Sequence, residues 1–139
     1  MVIPKQARWL RWLTIFWALI VFIWLGQEDN HVLPVAVLGI VGASVMLLLW
    51  AVHYYGNHAI GRGVLPFLLT AGGAVNGLGG VALTVGLMIF KNVRHAHLAP
   101  DYPNGLMGAM INLAPAWMLA GACFGLGIGL IYLALNQPK

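Results

Sequence analysis

Charged residues are scarce in this chain of 139 residues: they make up 7% of it, and three of them are acidic. An ordinary soluble domain is about a quarter charged, so the composition excludes a conventional water-facing surface. The single cysteine, Cys123, excludes an intramolecular disulfide and a zinc site of paired cysteines. Within an apolar run it reads as a small packing residue. Glu28, Asp29 and Asp101 flank apolar runs, which leaves few groups for general acid/base chemistry. Gly-x-Ser-x-Gly, Walker A and His-Glu-x-x-His patterns are missing too, and the chain is read as non-enzymatic. The net charge of +4 does not point to nucleic acid, because the basic residues are scattered over ends and loops with no basic face.

What is present is apolar: 61% of the residues are hydrophobic. Four stretches approach the roughly 20 apolar residues that a spanning helix needs, at approximately 9–26, 33–55, 65–90 and 106–135. They fill the chain, so residues 1–139 are expected to form a single transmembrane domain. The first stretch follows the basic segment "PKQARWLRWL" as a signal peptide would, but it is rich in Trp, Phe and Ile, and no small-residue cleavage site precedes "GQEDN". It reads as a retained anchor. Short connections make neighbouring spans antiparallel. The expected fold is an all-α membrane protein, an up-down-up-down bundle of four helices in two antiparallel hairpins.

Charge bias orients the bundle. Lys5, Arg8, Arg11, Arg62 and Lys139 fall on one side, while Glu28, Asp29 and Asp101 face Lys91 and Arg94 on the other. The positive-inside rule then places both termini in the cytoplasm. Trp9, Trp12, Trp24, Trp50, Tyr54, Tyr55, Tyr102 and Tyr132 lie near span ends, as an aromatic belt would. The charge bias and compact hairpins favour a bacterial inner membrane. Pro34 and Pro66 fit first turns, where a missing N–H costs nothing. Pro115 falls inside the fourth span, where it should bend the helix.

Small residues recur at helical spacing in the last two spans. Gly72, Asn76 and Gly80 repeat every fourth residue, as do Gly73 and Gly77, and Gly121, Gly125 and Gly129 repeat in the fourth span. Such grooves let two backbones approach closely in lipid, so spans three and four are expected to pack through them. Gly39, Gly42, Gly79, Gly86 and Gly127 point elsewhere and would leave groove surface for another protein, a lipid or a pigment. The first span, "WLTIFWALIVFIWLG", is bulky all round and reads as the outside of the bundle.

Intramembrane ionisable residues, the usual mark of transport, are missing from the span cores. Asn76, Thr84 and Asn112 are the candidate lining of a polar path, although Asn76 more plainly suits an interhelical hydrogen bond. His53 near the end of the second span is the candidate axial ligand for haem or a pigment. The longest polar interval, "FKNVRHAHLAPDYPNGLMGAM", adds His95, His97 and Asp101, which with His31 form a candidate Zn or Cu(II) site. His-x-His without an anchoring cysteine is a weak signal, and the two prolines and Asn-Gly in this interval read as turn chemistry. A loop that fixes topology or docks a partner is the simpler reading. No cofactor is required by these residues. The expected function is a non-catalytic accessory or structural subunit of a larger membrane complex, with lipids and other transmembrane subunits as partners. A small oligomeric channel or transporter, or a metal, haem or pigment binder, is the alternative.

Overall fold

The computed structural model describes residues 8–28, 31–95 and 100–136. Within them the chain is all-α, with five helices: α1 (Arg8–Leu25), α2 (Val32–Tyr55), α3 (Leu65–His95), α4 (Asn104–Asn112) and α5 (Ala114–Leu135). Three of these, α2, α3 and α5, are long and apolar enough to cross a membrane, which marks an integral membrane protein. The apolar part of α1, Trp9–Leu25, falls short of that length.

The central element is α3, which packs most extensively on α5 and next on α2, while α1 leans on α2. Each of these pairs is antiparallel. Along α3 and α5, a side chain built on Gly77 would strike the main chain of Trp117, and one on Gly73 that of Gly121. Toward the other end of the pair, Gly125 meets the main chain of Leu69, and Gly129 lies against Pro66. Backbone touches backbone over about three turns, so the contact is made by the dispersion of closely apposed main chains.

The glycine pattern serves two neighbours rather than one. Residues one position apart on a helix differ by about 100° in direction. Gly73 and Gly77 therefore face α5, while Gly72, Asn76 and Gly80 turn toward α2, where Gly80 lies against Ile40 and Gly72 against Leu47. The surplus groove expected from the sequence is thereby reduced. Gly39 is covered by Thr84 and the Gly80 carbonyl, Gly42 by Trp17 and Leu83, and Gly79 by Ala43, whereas Gly86 and Gly127 face open space. Gly42 also allows the Trp17 ring to lie close enough to α2 for its Nε1–H to donate to the Leu38 carbonyl at 2.9 Å.

Two boundaries differ from the sequence reading. The third helix does not end near residue 90 but continues to His95. No proline or glycine interrupts it there, and Arg94 and His95 in its last turn suit the negative end of the helix dipole. The expected fourth helix over 106–135 is two helices. Pro115 has no N–H to continue the ladder. The Leu113 N–H is shared between the Ala109 carbonyl at 3.3 Å and the Met110 carbonyl at 3.1 Å, a tightened turn that closes α4 before α5 begins. The "PNG" segment is not a free turn either. Pro103 precedes the helix, its carbonyl accepts from Leu106 and Met107, and Asn104 and Gly105 form the first turn of α4.

Candidate functional site

The polar side chains concentrate where α1 ends and α3 gives way to α4. Lys91, Asn92 and His95 lie within one turn of each other on α3, and the i, i+3 and i, i+4 spacings bring them to neighbouring directions. The Asn92 carboxamide meets the main chain of Tyr102 twice: the Tyr102 N–H donates to Oδ1 at 2.9 Å, and Nδ2 donates to the Tyr102 carbonyl at 2.7 Å. Tyr102 is fully buried, and its hydroxyl donates to the His31 carbonyl at 3.2 Å. One asparagine thus fixes the connection between α3 and α4, and the tyrosine it holds reaches the start of α2.

His95 continues the clamp toward α1. Its Nε2–H donates to the Leu25 carbonyl at 3.0 Å, which satisfies one of the acceptors left open at a helix C-terminus. Its Nδ1 meets Asp101 Oδ2 at 2.6 Å, and both side chains are about one-fifth exposed. A carbonyl can only accept, so the first bond takes the Nε2 hydrogen and the second holds a further hydrogen between ring and carboxylate. Ligation of a metal by either ring nitrogen would first require one of these bonds to break.

Lys91, counted from the sequence among the charges of the connection after the third span, lies on α3 and is fully buried. Its Nζ lies 4.5 Å from the Trp24 ring centroid and 5.9 Å from that of Tyr102. Both aromatic faces attract the ammonium through their quadrupoles, more strongly where water is excluded. Val35, Leu38, Leu87, Met88 and Met110 pack the same cluster. The Trp24 Nε1–H is buried and finds no acceptor among the described residues.

A second polar contact lies along the α2–α3 seam. Asn76 Nδ2 donates to Ser44 Oγ at 3.0 Å, and Ser44 Oγ donates to the Ile40 carbonyl at 2.8 Å. Thr84 is buried and donates to the Gly80 carbonyl at 2.7 Å. Asn112 is exposed at the end of α4. Asn76 and Thr84 are thus engaged in hydrogen bonds at the α2 seam. His53 is exposed on the last turn of α2.

Of the candidate metal ligands, His95 and Asp101 are brought together, and His31 contributes its main-chain carbonyl to the same end of the bundle. His97 lies outside the described residues. Among the described residues no group of three or more His, Cys, Asp or Glu side chains is placed to hold a metal. Asn92, Lys91, Trp24 and Tyr102 were not candidates from the sequence. The signal that could have found them is the placement of Asn92 three residues before His95, which puts two hydrogen-bonding side chains on one face of a helix end. No family model matches the chain, and no match is found among curated proteins or solved structures.

Proposed function

We propose that the chain is a non-catalytic accessory or structural subunit of a larger membrane protein complex. The observation that carries this reading is the use made of its polar side chains. Asn92, His95, Asp101, Tyr102, Ser44 and Asn76 bond the helices and their connections to one another within the chain. The outward surface is left almost wholly apolar, with Trp12, Phe16, Phe22, Leu119, Phe124 and Ile131 exposed. Polar groups that hold a bundle together, beneath a greasy exterior, suit a component that is packed among lipids and other transmembrane helices. Four crossings, with α1 as the first and α4 and α5 as one interrupted fourth, accommodate this exterior. Both termini then lie in the cytoplasm with Lys5, Arg8, Arg11, Arg62 and Lys139, and an inner bacterial membrane is the favoured setting.

Photocrosslinking from the outward face tests the reading. A photoreactive residue at Phe16, Leu119 or Phe124 in native membranes should give an adduct with another membrane protein from at least one position. Lipid adducts alone from all three would contradict it.

One observation favours a second reading, a small transporter working as an oligomer. The break between α4 and α5 leaves irregular main chain beside Asn112 within an apolar stretch, and interrupted helices often carry binding sites in transporters. Flux through proteoliposomes of the purified chain, abolished by Asn112→Leu, would favour the transporter over the subunit.

A further inference from the structure

We propose that the α2–α3 connection holds the headgroup of an anionic phospholipid. A groove of about 360 Å³ opens there, and its lining includes Tyr54, Tyr55 and His58, which carry polar atoms, and the apolar Ile60, Val64 and Leu68. That volume is in the range of small-molecule sites, and a mostly apolar lining with a few polar atoms suits a molecule that is polar at one end and oily at the other. The groove sits where two membrane-crossing helices end, so its surroundings are the headgroup layer. Trp50 stacks on Tyr54 with ring centroids 5.7 Å apart, and Tyr55 meets both edge-on. A rigid aromatic cluster of this kind belongs at a membrane–water boundary.

Charge selects the occupant. Arg62 follows Gly61 of the groove and is exposed; one of its N–H groups donates to the Asn136 carbonyl at 3.1 Å. A guanidinium has five donors in a fork that matches phosphate oxygens, and the bond to Asn136 uses one nitrogen of the exposed side chain. Arg11 enters at this same end, on the first turns of α1. Among the described residues the acidic ones, Glu28 and Asp101, lie toward the opposite end. An anionic phosphodiester therefore finds cations without competing carboxylate side chains, and the acyl chain lies along Val64 and Leu68. The hydroxyls of Tyr54 and Tyr55 have no partner among the described residues and can donate to the same phosphate.

The site needs no partner subunit, so it is tested on the purified full chain after delipidation in detergent. Thermal unfolding is followed with added phosphatidylglycerol or phosphatidylcholine carrying identical acyl chains. Phosphatidylglycerol should raise the unfolding temperature by several degrees more than phosphatidylcholine. Arg62→Gln should remove that difference, and Arg94→Gln at the opposite end should keep it. Equal shifts from the two lipids, or equal loss of the difference in both variants, would overturn the proposal. Tyr54→Leu provides a check independent of charge: it should weaken the response to phosphatidylglycerol while leaving net charge unchanged, and a full response would contradict the groove as the site.

Discussion

Gly125 and Gly127 stand two residues apart on α5 and have opposite surroundings. A Cβ on Gly125 would strike the Leu69 main chain, whereas one on Gly127 meets nothing within 4 Å. Neither atom of the Leu69 peptide can rotate away, so Gly125→Leu must force α5 off α3. Overpacking of this kind costs about 1–3 kcal/mol or more. Thermal unfolding in detergent should fall sharply for Gly125→Leu and stay near the parent value for Gly127→Leu. Equal behaviour of the two would remove the close backbone contact from the explanation. Asn92 makes a second case at this scale. Asn92→Ala leaves the main-chain N–H and carbonyl of buried Tyr102 without their partner, a loss of about 1–3 kcal/mol for an unsatisfied buried group. Asn92→Asp keeps an acceptor for the N–H and loses the donor, so its stability should lie between those of Asn92→Ala and the parent. An alanine variant as stable as the parent would show that this clamp does not hold the α3–α4 connection.

Helix existence was legible in the sequence because apolar runs separated by Pro, Gly and charge have few other readings. The ends of α2 and the start of α3 fall within a residue of the expected 33–55 and 65–90. Three features were not legible. The continuation of α3 to His95 depends on contacts with Leu25 and Asp101 that are distant in sequence or belong to a connection. The partner of each glycine could not be read from an i, i+4 pattern, since adjacent registers such as Gly72 and Gly73 serve different helices. The effect of Pro115 was foreseen as a bend, but whether a proline bends or breaks a helix is settled by whether the preceding turn tightens, as it does at Leu113. Pro115→Ala should restore the missing donor and draw α4 and α5 into line. Spin labels at Gly105→Cys and Gly127→Cys, in a Cys123→Ser background, report this directly. Both sites face open space, and a straight helix would separate them by about 33 Å at 1.5 Å per residue. The distance should lengthen toward that value in the proline variant. No change would place the cause of the break outside Pro115.

At the scale of the whole molecule, the two ends of the bundle are chemically unlike. One carries the His95, Asp101, Asn92 and Tyr102 clamp, and the other carries Arg62 and the aromatic groove. Separation of this kind is expected of a membrane protein with a fixed orientation. In intact spheroplasts, an impermeant maleimide should label Glu28→Cys, and it should reach Arg62→Cys only after lysis, again with Cys123 replaced by serine. Labelling of both in intact cells would mean that α2 does not cross. The candidate site was only partly legible because its members come from α1, α3 and two connections. His95 and Asp101 stood out by residue type, while Lys91 and Trp24 acquire their roles solely by meeting in the core.

The subunit proposal is tested most directly by the mass of the particle that contains the chain, tagged and extracted from native membranes in mild detergent and weighed by native mass spectrometry. The expected result is a heteromeric particle of fixed stoichiometry, much heavier than the chain's own 15.0 kDa. A monomer or a small homo-oligomer that survives extraction would contradict it.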